Sequence, residues 1–281
     1  MLLIKTSEQL IGYLSTLKTS ETLGLVPTMG ALHIGHAALV SRAIRENHYV
    51  VVSIFVNPTQ FNNTEDLEKY PQTLKADIKV LENISKDIVV FAPSIKEMYS
   101  EEIKSVNYDF GGLESVMEGA YRAGHFDGVG TIVESLLTLI KPDKAYFGEK
   151  DFQQLQIIRK LTEIRKIPVE IIGCPIVREA NGLAFSSRNE RLSKKIRNEA
   201  AFIYKTLKSA KRLFGTKSAM NVKNWVADQF MQHPDLELEY IEITHSKTLK
   251  PIIKKYKNKK YRAFIAVYAE GVRLIDNIAL N

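Results

Sequence analysis

Through its first 176 residues the chain alternates short apolar runs with longer segments of helical spacing, and few folds accept that pattern. The runs are Leu23–Val26, Val50–Phe55, Ile88–Phe91, Ala145–Phe147 and Val169–Gly173, rich in β-branched and aromatic residues. They are continuous rather than alternating, as expected of parallel strands buried on both faces. Ala37–Asn47, Leu67–Glu82, Thr131–Ile140 and Phe152–Lys166 carry apolar residues at helical intervals. The alternation predicts an open α/β sheet, in which ligands sit at the carboxyl ends of strands near a topological switch point.

After about Val177 the pattern changes. Asn189–Leu213 and Ala219–Gln232 read as amphipathic helices. Leu236–Ile243, Tyr261–Tyr268 and Val272–Asp276 read as strands, the last after the turn Glu270-Gly271. These predict a smaller α+β domain with an antiparallel sheet. The expected division is residues 1–176 and 177–281, with no Gly/Ser/Pro-rich linker between them.

Composition narrows the class. A chain of 281 residues, 45% hydrophobic and 25% charged, can bury an extensive core without staples. A single cysteine, Cys174, excludes an intramolecular disulfide framework and reads as a small buried apolar residue at a strand end. Met1–Glu8 lacks the apolar stretch of a signal peptide, and no run approaches the roughly 20 apolar residues of a membrane span. The expectation is a cytoplasmic protein that does not engage membranes. The net charge of +7 owes much to the lysine-rich stretch Lys247–Lys260. Lying between two strand patterns, that stretch reads as a solvated loop rather than a nucleic-acid patch, and a basic chain equally suits anionic small substrates.

Five segments carry candidate chemistry. His33-Ile34-Gly35-His36 follows the first of these strands and the turn Pro27-Thr28-Met29-Gly30, and opens the segment Ala37–Asn47. Glycine lets the backbone approach a ligand, a helix start offers N–H groups and partial positive charge, and imidazoles can donate to a phosphate as charge builds on it. The tetrapeptide alone also fits two ordinary surface histidines. Gly148-Glu149-Lys150-Asp151 again follows a strand and opens a helix, and reads equally as a phosphate and ribose site or as a capped surface helix. Ser186-Ser187-Arg188, beyond the turn Asn181-Gly182, fits a phosphate clamp, although a plain serine cap is the simpler reading of those residues alone. Asn57 and Gln60 end a strand with uncharged amides suited to a small polar substrate or to loop stabilisation. Arg122-Ala123-Gly124-His125-Phe126 adds a basic loop.

Taken together and in order, Pro27–His33, Ser53–Pro58, Tyr70-Pro71, Gly124-His125-Phe126, Phe147–Gln154, Ser186–Asn189 and Leu274-Ile275-Asp276-Asn277 resemble the pantoate–β-alanine ligase family. That family lies within the HxGH nucleotidyltransferases related to class I aminoacyl-tRNA synthetases. The resemblance implies a Rossmann-like parallel-sheet domain binding ATP and pantoate, and a smaller α+β domain closing over the site. It implies condensation of pantoate with β-alanine at the expense of ATP, through a pantoyl adenylate, with Mg²⁺, in a homodimer. By motif, Met29, Gly30, Ala31, Leu32, His33, Ile34, Gly35 and His36 would line the ATP site, with His33, His36 and Lys150 acting on the reacting phosphate. Gly148, Glu149 and Asp151 would hold the nucleoside. Val177 and Phe185 would lie against adenine, and Ser186, Ser187 and Arg188 would clamp the triphosphate. Gln60 and Gln154 would position pantoate, with Asn57, Tyr70 and Arg122 as further substrate contacts and Asp77 as a metal-side carboxylate. Ile34, Thr59, Ala123 and Phe185 depart from the family's usual residues without removing a group of catalytic chemistry. The competing readings are a related nucleotidyltransferase acting on a phosphorylated acceptor, and a basic RNA-binding protein on an inactive nucleotide fold.

Overall fold

The computed structural model describes residues 1–61, 67–99 and 102–281. They form two compact units, residues 1–149 with 154–175 and residues 150–153 with 176–281.

The first unit is built on a six-stranded parallel sheet: β1 (Leu2–Ile4), β2 (Leu23–Thr28), β3 (Tyr49–Ile54), β4 (Val89–Phe91), β5 (Lys144–Gly148) and β6 (Glu170–Cys174). All five expected strands are present. β1 was not among them, because three residues carry no periodic signal and only pairing with β4, Leu2 opposite Val89, defines the strand. The order β1-β4-β3-β2-β5-β6 runs one way from β2 through β3 to β4 and the other way through β5 to β6. The switch point therefore lies between β2 and β5, which pair at Gly24–Lys144 and Leu25–Ala145. A residue with a side chain at Gly24 would press within 2.7 Å of the Asn47 amide, so glycine is required for this close packing.

Helices α1 (Ser7–Leu14), α2 (Ile34–Glu46), α3 (Leu74–Glu82), α4 (His125–Ile140) and α5 (Phe152–Arg165) follow the strands. Helix α2 buries Leu39, Val40 and Ala43 against Val26, Val50, Val52 and Val90 of the sheet. It begins at Ile34 rather than Ala37 because His33 takes the N-cap position. The expected Leu67–Glu82 helix is interrupted: Leu67 and Glu68 are helical, but Pro71 disfavours the helical conformation at Tyr70 and supplies no N–H, and α3 begins anew at Leu74. Helix α4 starts at His125 rather than Thr131, after Gly124 at φ 74°.

In the second unit β7 (Glu237–His245), β8 (Tyr261–Ala269) and β9 (Val272–Ala279) form an antiparallel meander. Strand β9 is longer than the expected Val272–Asp276 and stays paired with β8 to Ala279. The expected helix Asn189–Leu213 is broken into a 3-10 turn (Ser187–Arg191), α6 (Lys194–Glu199) and α7 (Ala201–Phe214). The break falls where Ser193 caps a new start, its hydroxyl accepting from Ile196 N at 3.3 Å. Helices α7 and α8 (Ala219–Met231) pack Leu207, Val222 and Val226 with Ile243, Ile265 and Leu274 of the sheet. Among the described residues no helix is long and apolar enough to cross a membrane.

Candidate active site

The turn after β2 is shaped by two successive left-handed residues, Gly30 at φ 81° and Ala31 at φ 50°. Alanine resists that conformation, so something must hold it there. The carboxylate of Asp77, on α3 and 2% exposed, does so. Its Oδ2 accepts from Ala31 N at 3.2 Å and its Oδ1 from Leu32 N at 2.7 Å; Thr73 Oγ1 donates at 3.2 and 3.3 Å. A Cβ at Gly30 would meet Asp77 Oδ2 at 3.1 Å and Ile54 at 3.2 Å. Upstream, Thr28 Oγ1 donates to Ser53 O at 2.8 Å and accepts from Gly30 N at 3.3 Å, tying the turn to β3.

The turn delivers the two histidines to the start of α2. His33 Nδ1 accepts from Gly35 N at 3.1 Å, and His36 Nδ1 accepts from His33 N at 3.4 Å, a reciprocal cap made by imidazoles. The rings lie 4.2 Å apart. Because both Nδ1 atoms accept, the neutral rings carry their protons on Nε2. Gly148 and Glu149 leave the carboxyl end of the adjacent strand β5 at the same switch point. Anions are favoured at such a helix start by its N–H groups and its dipole.

Beyond β3, Asn57 is fully buried and both polar atoms of its amide are engaged. Nδ2 donates to Gly128 O at 3.0 Å, and Oδ1 accepts from Thr59 Oγ1 at 3.1 Å and Tyr99 Oη at 2.6 Å. Burial pushes the Tyr99 phenol up, against the pull of its own hydrogen bonds with Thr59 Oγ1, 3.0 Å away, and with Asn57. The loop lies so close to α4 that a Cβ at Gly128 would stand 2.1 Å from Thr59 O. Gln60, 9% exposed, is held by its backbone: its carbonyl accepts from His125 Nδ1 at 2.8 Å and from Arg122 Nη2 at 3.1 Å. Arg122 Nη1 also donates to His125 Nε2 at 3.1 Å, which fixes the His125 proton on Nδ1. The sequence marked Gly124-His125-Phe126 as a motif without giving His125 a role; its structural role is to hold Gln60. Asn57 and Arg122, expected as substrate contacts, likewise spend these groups on the loop. Tyr70 packs edge-on against Phe61, with ring centres 5.5 Å apart.

In the second unit Lys150 Nζ lies 3.6 Å from Asp151 Oδ1, and the Lys150 carbonyl accepts from Asn277 Nδ2 at 2.8 Å. Residues 177–185 form a hairpin: Phe185 N donates to Val177 O, Glu179 N donates to Leu183 O, and Gly182 sits at φ 101°. Immediately after it Ser186 caps the 3-10 turn, its hydroxyl accepting from Arg188 N at 3.3 Å. Ser186, Ser187 and Arg188 are half-buried, and Asn189 beneath them donates to Glu179 Oε1 and Ala184 O.

The sequence profile described as Pantoate-beta-alanine ligase matches residues 2–279. The chain belongs to this family. Curated relatives that match it include the pantothenate synthetase of Christiangramia forsetii, 63% identical over 93% of this chain and 92% of the relative. That of Flavobacterium psychrophilum is 54% identical over 94% of each. Among solved structures, pantothenate synthetase from Thermus thermophilus aligns with a TM-score of 0.91 and 40% identity, over 100% of this chain and 99% of that one. The pantoate-beta-alanine ligase from Francisella tularensis, solved in complex with Beta-gamma ATP and beta-alanine, aligns with a TM-score of 0.80 and 35% identity, over 100% and 98%.

Within this pantoate-beta-alanine ligase fold, the structure gathers Met29–His36, Asn57, Gln60, Arg122 and Gly148-Glu149 in the first unit. Lys150, Asp151, Val177 and Phe185–Arg188 belong to the second, and Gln154 lies on α5 in the first. Ile34, one of the departures from the family pattern, is 57% exposed. For Asp77 the expectation was a metal-side carboxylate, and the structure engages both its oxygens with the turn.

Proposed function

We propose that this chain condenses pantoate with β-alanine, converting ATP to AMP and pyrophosphate through a pantoyl-adenylate intermediate. The observation that carries this reading is the imidazole-capped start of α2 at the β2–β5 switch point, its turn pinned by a buried carboxylate. Family membership and the Francisella relative's complex with a nucleotide and β-alanine support it.

In the first half-reaction a pantoate carboxylate oxygen bonds to the α-phosphorus, and the bond from that phosphorus to the bridging oxygen of pyrophosphate breaks. Both partners are anions, so the step needs positive charge and hydrogen-bond donors placed where charge develops. His33 and His36 supply Nε2–H donors. Lys150 supplies a compact cation, and Ser186, Ser187 and Arg188 grip the leaving phosphates. Glu149 and Asp151, with the backbone at Gly148 and Val177, hold the nucleoside, and Phe185 packs near adenine. In the second half-reaction the β-alanine amine attacks the acyl carbon and AMP departs. Gln60 and Gln154 orient pantoate, while Asn57, Arg122 and His125 position Gln60. Uncharged amides suit a carboxylate and hydroxyl acceptor; a phosphorylated acceptor would call for Arg or Lys.

Mg²⁺ fits as a companion of the triphosphate rather than as a caged ion. Among the described residues no group of three His, Cys, Asp or Glu side chains is arranged to hold a metal. Mg²⁺ commonly binds through substrate phosphates and water with one or two carboxylates, and its chemistry here would be neutralising phosphate charge. We assign Asp77 to positioning the turn. Homodimerisation and a cytoplasmic location complete the proposal, the former checked by light scattering.

The test is release of AMP and pyrophosphate from ATP and Mg²⁺, with pantoate alone and then with β-alanine added. Turnover that requires both acceptors is the expected outcome. Turnover with neither, or with a phosphorylated acceptor instead, contradicts the proposal.

A further inference from the structure

The C-terminal motif Leu274-Ile275-Asp276-Asn277 resembles the family pattern yet has no place in the reaction as derived above. Its location explains why it is there. Consecutive residues of a strand point to opposite faces, so Asp276 and Asn277 on β9 reach two different segments of the second unit. Asn277, 2% exposed, donates through Nδ2 to the Lys150 carbonyl at 2.8 Å. Its Oδ1 accepts from Arg262, whose guanidinium lies 3.8 Å over the Phe152 ring. The Lys150–Gln153 segment is thus held at two points, by a carbonyl bond at Lys150 and by a ring contact at Phe152.

Asp276, 5% exposed, accepts from Arg178 Nη1 at 2.6 Å and Nη2 at 2.9 Å, a bidentate pair. Arg178 Nη1 also donates to Gly182 O at 3.1 Å, and the guanidinium stacks 3.5 Å over Tyr204. This pins the hairpin that leads into Ser186-Ser187-Arg188. Asp276 Oδ1 further accepts from Asn277 N at 2.7 Å, coupling the two anchors through one backbone step.

We propose that Asp276 and Asn277 are positioning residues for adenylation. They tether the Lys150 segment and the Ser186–Arg188 loop to neighbouring positions of one strand, so that lysine and clamp meet the same triphosphate. This inference rests on the phosphate roles of Lys150 and the clamp given above. It predicts that loss of the Asn277 donor, which faces the Lys150 carbonyl, acts on catalysis through Lys150. Asn277→Asp keeps the acceptor facing Arg262 and replaces the donor facing the Lys150 carbonyl with a second acceptor. The side chain keeps its size while the Lys150 anchor is lost.

The experiment is a double-mutant cycle on pantoate-dependent pyrophosphate–ATP exchange, using Asn277→Asp, Lys150→Ala and the double variant in the full chain, with thermal melts of each. The expected result is an exchange rate at least about tenfold lower for Asn277→Asp, with no further loss when it is added to Lys150→Ala. If Lys150→Ala lowers exchange while Asn277→Asp does not, or if the two losses multiply, the positioning role is wrong and the reading of Lys150 stands. If Lys150→Ala leaves exchange unchanged, the phosphate role of Lys150 fails and the inference falls with it. Should Asn277→Asp melt near the assay temperature, Asn277→Ser, which keeps a shorter donor, takes its place in the cycle. There the expected loss is smaller than for Asn277→Asp and again absent on the Lys150→Ala background. A loss that persists on that background overturns the inference.

Discussion

The turn Gly30–His36 and the loop Ser186–Arg188 are both assigned to the triphosphate, but they are built from different materials. The first grows directly out of a central strand. Its left-handed residues are clamped by a buried carboxylate on the next helix but one, and its histidines cap their own helix through backbone N–H groups. The second lies beyond a hairpin and is held at a distance by a guanidinium–carboxylate pair and the Asn189 amide. Backbone anchoring to a sheet transmits the rigidity of the core. Anchoring through long side chains leaves more freedom and makes the loop depend on a few buried charges. The comparison assigns chemistry to the rigid element and grip to the adjustable one.

Substitutions can break this contrast. The largest expected effect is on the rigid side. His36→Ala should lower kcat by about a hundredfold to ten-thousandfold, the range for a removed acid–base or charge-stabilising group. Its melting temperature should fall only slightly, since one cap bond is lost; steady-state pyrophosphate release and a thermal melt check both. On the adjustable side, Asp276→Ala leaves Arg178 without its buried partner and should cost roughly 3 kcal/mol of stability, read as a shifted denaturant midpoint. Asp77→Asn keeps one acceptor for the turn and turns the other into a donor facing a backbone N–H. It should cost about 1–3 kcal/mol and raise the KM for ATP, with the Mg²⁺ activation curve unmoved. A shifted Mg²⁺ curve would return Asp77 to the metal.

The smallest effect concerns pH and sharpens the picture of the sheet unit. Burial, opposed by an Asn47 hydrogen bond and reinforced by Glu46, pushes the Tyr146 phenol up to about 12. Its hydroxyl accepts from Asn47 Nδ2 at 2.7 Å and donates to Glu46 Oε2 at 3.0 Å. A raised folded-state value contributes stability that is present below the ordinary tyrosine range near pH 10 and is lost as pH rises toward 12. Denaturation midpoints across that interval should fall with phenolate absorbance, and Tyr146→Phe should flatten the fall.

Much of this was legible in the sequence where the signal was local. Continuous β-branched runs marked β2 to β6, and the HxGH string sat where a strand hands over to a helix. Local signals also misled. The apolar spacing of Leu67–Glu82 and Asn189–Leu213 continued through Pro71 and Ser193, where backbone chemistry ends a helix or starts a new one. The supporting contacts were not legible. Asp77 grips residues 45 and 46 positions away, Asp276 grips Arg178 across 98, and Asn277 holds Lys150 across 127. Periodicity carries no information about such pairs, because only the folded sheet brings them together.

The most direct measurement is exchange of labelled pyrophosphate into ATP with pantoate present and β-alanine withheld, in the native chain and in His36→Ala. Exchange that requires pantoate, needs no amine and disappears with His36 is the predicted result. Exchange that demands β-alanine, or that survives intact in His36→Ala, would contradict an adenylate made at the start of α2.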